Sequence, residues 1–170
     1  ELQGYLYQDK NGNLTTSLGT AIHETGHILG LKDLYNTQDA QPVYYMSVMA
    51  KHLSPVPQFI SVKEQEALGW ADAEQLPVLT ADGTYSLSAS GTQNAGAVIG
   101  YKMNIPAKNK TLYLEYRNFG ESGNKYDSQV KEFYKADGSQ VNAFNLKSGL
   151  VCYLAESDIR FPSNINCVAP

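Results

Sequence analysis

One stretch constrains this chain more than any other: His23-Glu24-Thr25-Gly26-His27-Ile28-Leu29-Gly30-Leu31-Lys32-Asp33. An α-helix advances about 3.6 residues per turn, so two histidines four positions apart point the same way. Both imidazoles can then hold one metal ion, and Glu24 beside them can reach a water at that metal. At roughly 100° per residue, Leu18, Ala21, Ile22, Thr25 and Leu29 gather on the face opposite His23 and His27, with Glu24 on the flank. Gly30 is the residue type that most easily ends a helix in a left-handed conformation, and the turn it permits brings Asp33 back as a third ligand. Three protein ligands with an open fourth position define a catalytic zinc site, whereas structural sites are closed. A bare pair of histidines at this spacing also occurs in ordinary amphipathic helices. Here the helical phase, the glycine stop and the acid past the turn agree.

The rest of the composition bounds the class. At 170 residues, 42% hydrophobic and 18% charged, the chain has material for a packed core. A net charge of −4 disfavours a nucleic-acid binder, which needs a basic surface. No apolar run reaches the length of a transmembrane segment, and no signal segment opens the sequence. Twelve tyrosines among many Asn, Ser, Thr and Gly suit a β-rich exported protein. Cys152 and Cys167 are expected to form a disulfide, worth about 3 kcal/mol for a loop of this size and implying an oxidising compartment. The alternative is two free thiols.

Along the chain, Asn11-Gly12 between Tyr5-Leu6-Tyr7 and Leu14-Thr15-Thr16 predicts a hairpin. Asp9, Asn11 and Asn13 echo a calcium loop. However, Leu14 occupies the glycine position and no downstream glutamate completes the pattern, so calcium is not indicated by a clear motif. The active-site helix is expected from about Thr16 to Leu29, capped by Thr16 or Ser17. Pro42, Pro55 and Pro57 keep Lys32 to Ile60 loop-like, and within it lies Tyr44-Tyr45-Met46-Ser47-Val48-Met49-Ala50. Methionine there makes either an apolar floor under a metal site or ordinary core filler. Ser61-Val62-Lys63-Glu64 reads as a capping box opening a helix through Trp70. Beyond Pro77 the signal is strand and turn: Thr84 to Ser88, Val98 to Ile105, Thr111 to Tyr116 and Leu150 to Ala155. The second of these places Ile99, Tyr101, Met103 and Ile105 on one face. The third sets Leu112, Leu114 and Tyr116 against Tyr113 and Glu115. Between the last two lies a long polar insertion, Asn118 to Ser148.

His-Glu-x-x-His-x-x-Gly-x-x-Asp followed by Leu34-Tyr35 resembles the immune inhibitor A-type zinc metallopeptidases, a secreted bacterial branch of the metzincin-like zincins. Ser47-Val48-Met49-Ala50 resembles the family's methionine-turn segment, and Leu68-Gly69-Trp70 its helix end. Leu112 to Arg117, Tyr126-Asp127 and Gly149-Leu150-Val151 resemble its following strands. The likeness spans about Leu18 to Glu156. It implies an exported zinc endopeptidase, located outside the cell, at its surface or in the periplasm. Its ligands would be His23, His27 and Asp33, its general base Glu24 and its turn methionine Met49. Candidates for a second oxyanion donor are Tyr35, Tyr44, Tyr45 and His52. Protein or peptide substrates would lie extended along a strand edge.

Two departures stand out: Lys32 where the family has proline, and Ser47 where it has aspartate. The expected class is α+β. A zincin-like active-site helix and methionine-turn subdomain, residues 1–77, precedes a β-rich antiparallel segment, residues 78–170. Residues Glu1 to Ser17 supply at most an edge hairpin, so the upstream sheet of a zincin is expected to be missing and an upstream part of the same protein to be needed. The rival expectation is a catalytically weak or inactive zincin-like module that binds host protein or glycan. A structural β-domain with an accidental motif and other zinc hydrolases such as amidases are further alternatives.

Overall fold

The computed structural model describes residues 6–8, 12–16, 18–34, 46–50, 58–91, 96–120, 127, 133–135, 140–141, 148–156 and 165–168. Strands β1 (Leu6–Gln8) and β2 (Leu14–Thr16) form the expected hairpin, pairing Leu6 with Thr16 and Gln8 with Leu14. Helix α1 (Leu18–Ile28) follows at once. Gly30 stops it at φ 98°: the Leu31 N–H donates to Gly26 O at 2.9 Å and the Gly30 N–H to His27 O at 3.0 Å. That pair of bonds is a Schellman motif, which needs the left-handed conformation at its glycine.

Helix α2 (Val62–Ala67) starts on the expected capping box, Ser61 and Glu64 each satisfying the other's backbone N–H. It ends sooner than expected. Gly69, at φ 70°, repeats the Schellman stop, with the Trp70 N–H on Gln65 O at 2.8 Å, and Trp70 is left 59% exposed.

Strands β3 (Gly100–Ile105), β4 (Lys110–Arg117), β7 (Gly149–Glu156) and β8 (Ile165–Val168) build one antiparallel sheet in the order β3-β4-β7-β8. The insertion expected as a loop supplies β5 (Phe133–Lys135) and β6 (Gln140–Val141), which extend the hairpin into a second sheet, β2-β1-β5-β6. Residues 84–88, expected as a strand, form none. Their links are single contacts, such as the Ser88 N–H on Val98 O and the Tyr101 hydroxyl on Ser86 O. The protein is thus α+β with antiparallel sheets. Among the described residues no helix is long and apolar enough to cross a membrane.

One core crosses Pro77. Leu31, Leu34, Val48, Met49, Val62 and Leu76 pack in the same buried cluster as Ile99, Tyr113, Tyr153 and Ala155. The expected disulfide is not part of it. Cys152 carries a free thiol, and the β7–β8 register opposes Cys152 to Val168 and Tyr153 to Cys167.

Candidate metal centre

Helix α1 turns its histidine side inward. His23 and Gly26 are buried and His27 half-buried, while Leu18 and Leu29 on the apolar stripe are 52% and 51% exposed. The reason lies in the segment beneath. Met49, fully buried, passes under the helix at Gly26, where a Cβ would sit 2.5 Å from the Met49 Sδ and 3.2 Å from its Cε. Only a glycine lets the methionine come this close between the two histidines.

The Schellman stop at Gly30 reverses the chain and returns Asp33 to the histidines. Asp33 Oδ1 lies 3.1 Å from His23 Nε2 and 3.2 Å from His27 Nε2, and the two Nε2 atoms are 3.1 Å apart. These three side chains form the candidate metal-binding cluster among the described residues. His23 Nδ1 lies 3.0 Å from Val48 O and His27 Nδ1 2.9 Å from Leu31 O. A carbonyl only accepts, so each Nδ1 carries the donated proton, which leaves each Nε2 as the nitrogen that can offer a lone pair to a metal ion.

Zinc fits this triangle. Ligand atoms about 2.0–2.1 Å from a tetrahedral zinc are about 3.3 Å from one another, close to the observed separations. Two neutral imidazoles and a carboxylate are zinc donors, and the carbonyl partners of both Nδ1 atoms supply the outer hydrogen bonds such ligands require. Asp33 is 41% exposed while His23 is 2% exposed, so the cluster is walled on the protein side and open toward solvent.

The turn at residues 47–50, which carries Met49, is fixed from several sides. Leu34 N–H donates to Met49 O at 3.0 Å, and Ala50 N–H closes the turn on Ser47 O at 3.1 Å. Ser47 accepts the Met49 N–H at 3.0 Å and donates to Glu64 Oε1 at 2.8 Å. Arg117, buried on β4, donates from Nη1 to Met46 O at 2.5 Å and from Nη2 to Phe59 O at 3.1 Å. It also grips both oxygens of Asp127, at 2.8 and 2.6 Å. Glu115, two residues along β4, is fully buried with its nearest oxygen 3.7 Å from Arg117 Nη1. Burial pushes its carboxyl up to about 7, against the pull of Arg117 and Ser90, while Asp127 and Glu64 push the same way as burial. Burial likewise raises the Glu64 carboxyl, opposed by its bonds to Ser61 and Ser47.

The structure therefore assembles His23, His27 and Asp33 and packs Met49 against Gly26 of the same helix. Glu24 is exposed on α1 and stands outside the ligand cluster. Tyr35, Tyr44, Tyr45 and His52 lie outside the described residues, as do Asp9 and Asn11 of the calcium-like spacing. Lys32, the first departure from the family pattern, is exposed. Sequence reasoning missed Ser47, Glu64 and the Arg117–Asp127 pair as supports of the turn. Glu64 was legible only as a helix cap. No protein-family model matches the chain, and it matches no curated protein and no solved structure.

Proposed function

We propose that this protein holds zinc at His23, His27 and Asp33 and hydrolyses peptide bonds in protein substrates, in the manner of the zincin family it resembles. The observation that carries the reading is the triangle of two Nε2 atoms and one carboxylate oxygen, with both Nδ1 protons already committed to carbonyls. Bound zinc supplies Lewis-acid polarisation of the scissile carbonyl. Glu24, next in sequence to His23 and open to solvent, accepts a proton from the attacking water and passes it to the leaving amine. Asp33 adds negative charge to the ligand set, which makes that proton harder to remove than three imidazoles would, and so raises the demand on Glu24. Met49 supplies the apolar floor. Export from a bacterial cell belongs to the same reading.

A second reading retains the metal and drops turnover: a catalytically weak zincin-like module that binds host protein or glycan. What favours it is that the ligand set is in place while the Glu24 carboxylate stands apart from it. Digestion of an unstructured protein such as casein by the zinc-loaded full chain separates the two. The protease reading expects cleavage that Glu24→Gln lowers by orders of magnitude at unchanged zinc content. A zinc-loaded wild type that leaves casein intact selects the binding module, and full activity in Glu24→Gln removes Glu24 from the reaction.

A further inference from the structure

We infer that Ser47 and Glu64 are positioning residues for the His23 ring, acting through the peptide that joins Val48 to Met49. The inference rests on the metal-centre reading for its purpose, and on geometry alone for its path. The Val48 carbonyl, which takes the His23 Nδ1 proton at 3.0 Å, and the Met49 N–H belong to one planar peptide unit. The Ser47 Oγ holds the other side of that unit by accepting the Met49 N–H at 3.0 Å. Rotation of the peptide plane would swing the carbonyl off His23, and the Ser47 bond opposes that rotation.

The hydroxyl can hold this position only while its own proton is directed elsewhere. Glu64 Oε1 takes that proton at 2.8 Å, and Glu64 Oε2 is fixed in turn by the Ser61 N–H at 2.7 Å. His23, Ser47 and Glu64 are all buried, so water does not substitute for any of these bonds. The path thus runs from the cap of α2 to the tautomer and direction of a metal ligand on α1, across 41 sequence positions from His23 to Glu64. The aspartate that the family resemblance leads one to expect at position 47 is absent, and a carboxylate from α2 reaches the same turn through the serine.

The full chain, labelled with ¹⁵N-histidine and free of metal, reports the path directly through the His23 Nδ1–H resonance. The wild type is expected to show that proton exchanging slowly with water. Ser47→Ala is expected to speed its exchange at least tenfold and, in a separate titration, to weaken Co²⁺ binding by about tenfold or more. Glu64→Gln, which keeps the size of the side chain, moves both readouts the same way by a smaller factor. Glu66→Gln is the control for general loosening: it weakens the α2 bonds to Lys102 and Tyr113 and lowers resistance to urea, yet leaves the His23 proton and Co²⁺ affinity near wild type. Wild-type exchange and affinity in Ser47→Ala would overturn the inference, as would Glu66→Gln shifting both readouts as far as Ser47→Ala does. A wild type that binds no Co²⁺, while its His23 proton still responds to Ser47→Ala, would overturn the metal reading and leave the positioning path standing.

Discussion

At the scale of single residues, a glycine and a methionine decide how closely helix α1 packs on the segment beneath it. Gly26 lies between the ligands on α1, and the Met49 Sδ occupies the space a side chain there would need. Gly26→Ala gains up to about 1 kcal/mol of helix propensity. It also forces a fully buried methionine to move, an overpacking cost of about 1–3 kcal/mol. The expected net result is destabilisation by about 1–2 kcal/mol, read from urea unfolding of the metal-free protein. The ligand residues were legible in the sequence because a helix period fixes direction without any tertiary information. Met49 was legible only as a residue type in a suggestive place. Its function as a floor depends on a contact with Gly26 that no local pattern encodes. In the sequence Ser47 stands only as a departure from the family pattern. In the structure its hydroxyl accepts the Met49 N–H and donates to Glu64, a bond across 17 residues that spacing does not reveal.

At the scale of elements, the informative case is β4. Its alternation was legible, but not which face is buried: Thr111, Tyr113, Glu115 and Arg117 point in, and Leu112, Leu114 and Tyr116 are only half-buried. Apolar patterning misleads here because the inner face is stabilised by specific partners. Tyr113 stacks on Tyr153 at 5.6 Å and donates to Glu66, which also pairs with Lys102, and Arg117 is held by Asp127, Met46 O and Phe59 O. The same inversion appears on α1, whose apolar stripe faces outward.

Two predictions belong to β4. Asp127→Ala leaves the Arg117 guanidinium buried without its carboxylate and should cost about 3–5 kcal/mol, measured by denaturant unfolding. The second concerns pH. The Glu115 carboxyl is raised from an ordinary 4.5 to about 7, so between these values the folded state holds a proton that the unfolded chain has released. The contribution of Glu115 to stability therefore falls as pH rises from about 4.5 to about 7, and levels beyond. Metal-free wild type should lose more stability between about pH 5 and about pH 8 than Glu115→Gln does. Equal losses in the two proteins would show that Glu115 does not titrate in this window.

At the scale of the whole molecule, the sequence divides at Pro77 more sharply than the fold does. Composition changes there from helix and loop to strand and turn. The core does not divide, because Val48, Met49 and Val62 share it with Tyr113, Tyr153 and Ala155. Arg117 reaches back across 71 residues to the Met46 carbonyl at the entrance of the methionine turn. Residues 1–77 expressed alone should therefore lack a cooperative unfolding transition, since the turn would lose Arg117 and much of its packing. A cooperative transition in that piece would show the β-rich part to be dispensable for the turn. The strands within the 118–148 insertion were not legible because their partner is the hairpin more than a hundred residues earlier. Pairing at such separation follows from tertiary contact, whereas the residues of the metal triangle lie within eleven positions and follow from one helix and one turn.

The account stands on that triangle. Zinc content measured on the reconstituted and desalted full chain, beside His27→Ala and Asp33→Ala, tests it most directly. One zinc per wild-type chain, lost or greatly reduced in both variants while they remain folded, is the predicted result. A wild type without zinc, or variants that hold zinc as the wild type does, would contradict it.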